Sequence, residues 1–360
     1  MIFCVFLLAG CGVFPSGPAE TELFTALVWN VQALFDGNED GNEYAEFRET
    51  AGWTEEKYQA RLNAISQAIQ QIMPAAESSK ADKPQVPGLI GLVEIENSSI
   101  LEDLASLSKR GYPKSTLAYN WTAFASLDGS SLGLGVLSRC PIVDGRSHSI
   151  TVGGETAPRP VLEVRIQVRD KPLVFLLCHW KSKLGKDTET LRRASAKLVQ
   201  RRLQEIEERE AGTPLIVMGD LNENHDEFYL RGVSALCALL PDDPGAAALA
   251  LQAPAAQDFL VLSGEKPPRT FAAEKTSALY SPWMEELSGG SYFYRGGWET
   301  IDHFLLSRQL FDGAGWDFAG CQVLNREPFT LSNGAPNAYV PKSGRGLSDH
   351  LPLILYIKDS

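Results

Sequence analysis

The sequence contains no apolar run of the roughly 18 residues that a helix needs to cross a bilayer, so nothing in it reads as a membrane-spanning segment. It has no excess of positive charge either. Lys and Arg number 33 against 45 Asp and Glu, a formal charge of −12, so no global field gathers polyanions and any phosphate-bearing ligand must be held locally. HExxH, GxxxxGK[ST] and GxSxG are all missing, which argues against zinc proteolysis, P-loop nucleotide binding and serine-hydrolase chemistry. The six cysteines form no CxxC and no close Cys/His spacing, so a structural zinc site is not expected. There is no internal repeat, and 44% hydrophobic with 22% charged residues is the composition of a packed globular chain, not of a fibre or a disordered one.

At the N-terminus, Ile2 to Ala9 are uninterrupted apolar and lead into Gly10-Cys11-Gly12, then Pro15-Ser16-Gly17-Pro18, an extended tether. Leu8-Ala9-Gly10-Cys11 resembles the bacterial lipobox. That resemblance implies a signal peptide over 1–10, lipidation of Cys11, a tether over 11–22, and an exported lipoprotein anchored in the cell envelope. No boundary divides residues 23–360, which read as one domain, although the length would admit two at roughly 150 residues each. Cys140, Cys178, Cys237 and Cys321 then remain and could pair in three ways; Cys178, inside the apolar run Val174 to Cys178, is expected as a buried free thiol.

Short β-branched runs bounded by Gly, Pro or charge recur at Leu27 to Trp29, Leu89 to Val93, Leu132 to Leu137, Val161 to Val168, Leu173 to Cys178, Leu215 to Met218, Ile301 to Leu306 and Leu351 to Ile357. Three- and four-residue apolar spacing predicts helices over Tyr58 to Ile72 and around Leu191 to Ile206. Val161 to Ile166 alternates apolar and polar, and Arg169-Asp170-Lys171 makes a turn into the next run, predicting an antiparallel hairpin and disfavouring a purely parallel sheet. The Pro/Ala-rich stretch 241–257 reads as a surface loop or short helix.

The chemistry-bearing residues sit at the ends of these runs. Asn30 closes LVW, Glu94 closes LIGLV, His179 closes VFLLC, Asp220 follows LIVMG with Asn222 two residues on, Asp302 opens DHFLL, and Ser348-Asp349-His350 precedes the last strand. A single polar residue there is ordinarily a turn or cap, but loops at strand ends on a rigid scaffold are also where sites are built. The residue types suit phosphoester hydrolysis. A hard cation such as Mg²⁺ takes carboxylate oxygens, with Glu94 the first candidate ligand, and it offsets charge developing on a phosphoryl group.

Asn30, Glu94, His179, Gly219-Asp220-Leu221-Asn222, Asp302 and Ser348-Asp349-His350, in that order over residues 25–357, resemble the endonuclease/exonuclease/phosphatase superfamily of deoxyribonuclease-I-like proteins. Gly133 to Arg139 is similar to that family's strand ending in Ser-Arg before a Pro. The resemblance implies an α+β fold, a four-layer α/β/β/α sandwich of two mostly antiparallel sheets packed face to face with helices outside. It also implies a metal-dependent phosphoesterase using Mg²⁺, with Mn²⁺ or Ca²⁺ as alternatives. Asp349 and Asn30 would complete or support the shell around Glu94, Asp220 would orient and deprotonate the attacking water, and Asp302 would partner His350. Asn222, taken as lying on the same side of an extended segment as Asp220, would donate to the nucleophile or to a phosphate oxygen, and His179 would donate near the phosphate.

Weaker candidates for substrate contact are Lys181 and Arg159. Arg193, Lys197 and Arg201 read as a solvated helix face, while His148, His225 and His303 read as structural or exposed. Tyr280, Trp283, Tyr292, Tyr294 and Trp298 read first as packing, with base or headgroup stacking as the functional alternative. Asp36 to Glu43 departs from the twelve-residue calcium-loop pattern and reads as an acidic surface loop. The expected protein is a monomeric, nuclease-like phosphodiesterase acting on DNA or RNA. The first rival is a phosphatase or phospholipase C-type enzyme acting on phosphoinositide or sphingomyelin headgroups, and the second a catalytically inert surface-binding lipoprotein.

Overall fold

The computed structural model describes residues 23–72, 87–111, 118–157, 159–233, 237–252, 258–268, 270–271 and 276–360. The lipobox at Leu8 to Cys11 and the tether lie outside the described residues.

The strand-length runs become two mixed sheets. The first has six strands, ordered β13-β14-β1-β2-β4-β3: Trp316–Val323 (β13), Leu353–Asp359 (β14), Leu23–Leu34 (β1), Leu89–Ile95 (β2), Gly133–Ser138 (β4) and Trp121–Ala125 (β3). The second has eight, ordered β9-β10-β11-β12-β8-β7-β6-β5: Leu239–Pro241 (β9), Leu260–Ser263 (β10), Leu279–Tyr280 (β11), Asp302–Leu306 (β12), Leu215–Asp220 (β8), Lys171–His179 (β7), Val161–Val168 (β6) and Ile142–His148 (β5). The hairpin expected around 169–171 is present as the antiparallel pair β6 and β7. The first sheet also holds one parallel pair, β1 with β2, and the second holds three, β7 with β8, β9 with β10 and β10 with β11.

Side-chain alternation along a strand builds the layers. On β1, Phe24, Ala26 and Val28 face the core between the sheets, while Leu27, Trp29 and Val31 face the opposite core with the helices α1 (Glu55–Gln70) and α2 (Ser98–Gly111). On β7, Leu173, Phe175 and Leu177 enter the inter-sheet core, and Val174, Leu176 and Cys178 pack against α3 (Thr188–Arg209). The result is the expected α/β/β/α order. The 241–257 stretch contains the helix Pro244–Gln252, and the four cysteines among the described residues, Cys178 included, are free thiols.

One departure concerns β6. Glu163, a polar position in the alternating run, is buried beneath α3, where Arg202 donates to both of its oxygens and His148 bonds one at 2.8 Å. Burial pushes its carboxyl up, and those hydrogen bonds and charges outweigh burial and hold it at about 2. The alternation was read correctly, but α3 covers the face it points to.

Candidate active site

The site forms where the central strands of both sheets end. β1 and β2 run parallel with Asn30 opposite Val93, and both lose register immediately afterwards, between Asn30 and Leu34 and between Val93 and Ile95. At these irregularities Gln32, Ala33 and Glu94 adopt left-handed backbone, with φ of 55°, 55° and 67°. Such conformations cost non-glycine residues on the order of 1–3 kcal/mol each and persist only when the surroundings over-determine them. Here the surroundings do. The backbone N–H of Gln32 donates to Asn30 Oδ1 at 2.9 Å and that of Ala33 to Glu94 Oε2 at 2.9 Å. From α1, the buried Arg61 guanidinium donates to the carbonyls of Val31, Gln32 and Ala33 at 2.6, 2.6 and 2.9 Å and lies 3.7 Å from the Tyr339 ring centre. Glu94 is thereby aimed out of the strand into the cavity.

The opposite wall comes from the second sheet. Asp220 is in register with His179 on one side and Asp302 on the other, so three functional side chains share one level of the sheet. Gly219, at φ 137°, is required just before them, since a Cβ there would stand 1.9 Å from the carbonyl oxygen of Cys178.

Asn30 ties the two walls together. Its Nδ2 donates to Glu94 Oε1 and to Asp220 Oδ2, both at 3.1 Å. His179 Nε2 lies 3.6 Å from the same Glu94 oxygen and 3.7 Å from the same Asp220 oxygen. His350 Nδ1 donates to Asp302 Oδ2 at 2.8 Å, and Ser291 Oγ donates to that oxygen at 2.6 Å. Ser348 carries His350 in, donating from Oγ to the Asn30 carbonyl at 2.6 Å and accepting from the His350 N–H at 3.1 Å. The ring of Tyr292 stacks on His350 with centroids 4.5 Å apart.

Glu94, His179, Asp220, Tyr292 and His350 line a cavity of about 250 Å³ that also exposes Gln32, Arg159, Ser182, Lys183, Tyr294, Glu299 and Asp349, with Asn30 and Asp302 buried behind them. Of the cationic side chains here, His350 is paired with Asp302, Lys183 is bound to Glu227 at 2.7 Å and to Glu299 at 3.2 Å, and Arg159 donates to the Trp180 carbonyl, so Glu94, Asp220 and Asp349 share little positive charge. Burial raises Asp220 to about 7, with the Asp302 charge adding to it, and burial likewise raises Asp349. Burial pulls His350 down, but the charge and hydrogen bond of Asp302 outweigh it, and with Asp349 and Asp220 hold it at about 10, a cation at neutral pH. Burial, then the positive charges of Arg159, His350 and Lys181, push His179 well below its ordinary range, so it is a neutral imidazole. The surplus of buried carboxylate suits a divalent cation. Asp220, Asp302 and His350 each bring an atom within 4.8 Å of the others. In that trio His350 and Asp302 already satisfy one another, while Glu94 and Asp349 are partly exposed carboxylates that line the cavity.

The structure thus brings together Asn30, Glu94, His179, Asp220, Asp302, Asp349 and His350. Asn222 lines the cavity, but not by extended geometry: it has φ 51°, its N–H donates to Asp220 Oδ1 at 2.9 Å, and its Nδ2 donates to the Trp180 carbonyl at 3.1 Å. The strand has ended at Asp220, and a turn, not alternation, places Asn222. Arg159 reaches the cavity and donates to the same Trp180 carbonyl. Lys181 does not line it; Lys183 does. Asn30 supports the shell around Glu94 by presenting its amide nitrogen to the carboxylates, while its oxygen accepts from the Gln32 N–H. Sequence reasoning missed Gln32, whose Oε1 accepts from the N–H groups of Tyr339 and Asp349 at 2.8 and 3.0 Å, as well as Ser291 and Arg61. Tyr280 and Trp283 are core residues, whereas Tyr292 and Tyr294 line the cavity. His303 is fully buried and bonds the Glu223 carbonyl at 2.8 Å, a structural role, as expected.

The Endonuclease/Exonuclease/phosphatase family profile matches residues 25–238. The chain belongs to that family. Its members are typically hydrolases of phosphodiester bonds and generally depend on divalent metals. Among solved structures, truncated TDP2 of Caenorhabditis elegans is similar over 93% of this chain and 98% of its own, at 12% identity and TM-score 0.53. The human Nocturnin catalytic domain is similar over 95% and 97%, at 14% identity and TM-score 0.51. Humanized D. rerio TDP2 is similar over 93% and 98%, at 14% identity and TM-score 0.51. At these identities the likeness speaks for the fold. No curated protein sequence matches the chain.

Proposed function

We propose that this chain is a divalent-metal-dependent phosphodiesterase, nuclease-like in action, and that Mg²⁺ is its ion. The observation that carries this reading is the Asn30 bridge between Glu94 and Asp220, facing the His350–Asp302 pair across one cavity. Glu94 would hold the ion, with Asp349 and Asn30 beside it; the oxygen of Asn30 becomes available if its amide turns over. When bound, the ion supplies Lewis-acid polarisation of the phosphoryl group.

The chain's own residues do the rest. Asp220, poised near 7, accepts the proton of the attacking water. Asn222 and the neutral His179 orient that water and a phosphate oxygen. His350, held cationic by Asp302, donates to the oxygens on which charge develops. Arg159 adds a guanidinium suited to a phosphate fork. Nucleic acid is the favoured substrate, bound through local contacts because the net charge repels polyanions.

A lipid-headgroup phosphodiester is the second reading. It is favoured by the hairpin Tyr292–Glu299 at the cavity rim, where Phe293 and Trp298 are 40% and 39% exposed, and it would fit a lipid-anchored envelope protein. Incubating purified protein with Mg²⁺ and either single- and double-stranded DNA and RNA or sphingomyelin and phosphatidylinositol vesicles separates the two. Nucleic-acid cleavage abolished by EDTA is expected, and cleavage of lipids alone would reject the nuclease reading.

A further inference from the structure

The segment Asp36 to Glu43 links β1 to the helical region, and its composition suggested an acidic loop open to solvent. Its middle, Asn38 to Asn42, is exposed as expected, but its two acidic ends turn inward. Asp36 is 8% exposed and Glu43 3%, and they meet Glu96, also 8% exposed, two residues beyond Glu94 at the end of β2. Each of Asp40, Glu43 and Glu96 brings one carboxylate oxygen within 4.8 Å of the other two.

The surroundings organise this cluster without neutralising it. Asp36 is a scaffold: its Oδ1 accepts from the Asn38 N–H at 2.7 Å and its Oδ2 from Asn97 Nδ2 at 2.9 Å. The two Glu43 oxygens accept from the backbone N–H groups of Asp40 and Gly41. Arg48 lies close by, but its guanidinium is spent on the Glu43 carbonyl at 3.2 and 3.3 Å. Glu96 Oε2 accepts from the Asp36 N–H at 2.8 Å. Its Oε1 is buried and finds no hydrogen-bond donor among the described residues. A buried carboxylate oxygen without a partner, beside two further carboxylates, is unfavourable unless a cation answers it.

We propose that Asp40, Glu43 and Glu96 hold a second divalent cation, Ca²⁺, apart from the ion at Glu94. Three carboxylates, two of them on one irregular loop, suit the flexible oxygen shell of Ca²⁺ better than the near-ideal octahedron that Mg²⁺ demands. The bound ion fastens the loop after β1 to the end of β2, and so braces the two left-handed segments that present Asn30 and Glu94. Binding of this ion is measured without phosphodiester turnover.

Trp53, whose Nε1 donates to the Asp36 carbonyl at 2.5 Å, provides the reporter. The full chain carrying Glu94→Gln, stripped with EDTA, is titrated with Tb³⁺ under tryptophan excitation, then with Ca²⁺ as competitor. Sensitised emission displaced by Ca²⁺ is expected, together with a Ca²⁺-dependent rise in Tm. Adding Glu43→Gln or Asp40→Asn should weaken Tb³⁺ binding by about tenfold or more. Asp40 is exposed, so that variant decides the matter even where the Glu43 variant fails to fold. Emission lost on Glu94→Gln alone, or affinity shifted less than tenfold by Asp40→Asn, would overturn the proposal.

Discussion

Asp302 accepts a 2.8 Å hydrogen bond from Nδ1 of His350, and Ser291 donates to the same carboxylate oxygen at 2.6 Å. The imidazole therefore presents Nε2 as a charged donor, and the pair predicts a pH signature. His350 is raised from an ordinary 6.5 to about 10, so kcat/KM should hold through neutral pH and fall as pH rises through about 10. Asp302→Asn should cut the rate by about 10²–10⁴ and move that alkaline limb down toward 6.5. The same shift works on stability. The contribution of His350 is fully present below about pH 6.5 and is lost as pH climbs toward 10. A pH–rate profile with an unmoved alkaline limb in Asp302→Asn would remove His350 from its role.

Asp220 carries the opposite sign. Its carboxyl is raised from 3.8 to about 7 chiefly by burial, so ionisation costs metal-free folded protein stability, increasingly as pH rises from about 4 to 7. Asp220→Asn keeps an acceptor for Asn30 and removes the charge. It should abolish turnover while stabilising EDTA-treated protein at pH 8 by on the order of 1–3 kcal/mol, read by urea unfolding. A destabilised variant would mean that the carboxylate is held for structural reasons.

Much of this site was legible because a polar residue closing an apolar run is visible in one dimension. Asn30, Glu94, His179 and Asp220 all announce themselves in that way, and register then brings them level. Arg61 was not legible. On a helix of three- and four-residue apolar spacing it looks like any solvated charge, and its burial is dictated by carbonyls freed some thirty residues earlier by a bulge. The burial of Glu163 and Glu43 was hidden for a related reason: alternation and local charge reveal which way a side chain points, not what later covers it. Asn222 was placed on the right surface by the wrong geometry, since strand periodicity stops where the strand does.

Arg61 yields the third prediction. Arg61→Met strips the carbonyls of Val31, Gln32 and Ala33 of their donor and should destabilise the fold by roughly 3–5 kcal/mol. Protein that remains folded at low temperature should show reduced kcat, because Glu94 loses the bulge that aims it. Arg61→Lys cannot reproduce a planar fork and should recover only part of either loss. Full activity in folded Arg61→Met would show that the bulge holds without the clamp.

Arg159 should act on binding. Its guanidinium faces the cavity from a position where the net charge of the chain offers no other help to an anionic substrate. Arg159→Met should raise KM by about 10- to 100-fold with a smaller effect on kcat, and flatten the salt dependence of KM. An unchanged KM in steady-state kinetics would assign Arg159 to holding the Trp180 carbonyl alone.

The central claim is that Glu94, Asp220 and the two histidines form one metal-dependent phosphodiesterase centre. Hydrolysis of a small phosphodiester, bis(p-nitrophenyl) phosphate, by wild-type protein and Glu94→Gln across a Mg²⁺ titration tests it most directly. The account predicts wild-type turnover that rises with Mg²⁺ and vanishes in EDTA, with Glu94→Gln slower by about a hundredfold or more at saturating Mg²⁺. Turnover by the wild type in EDTA, or a folded Glu94→Gln protein as fast as the wild type, would contradict it.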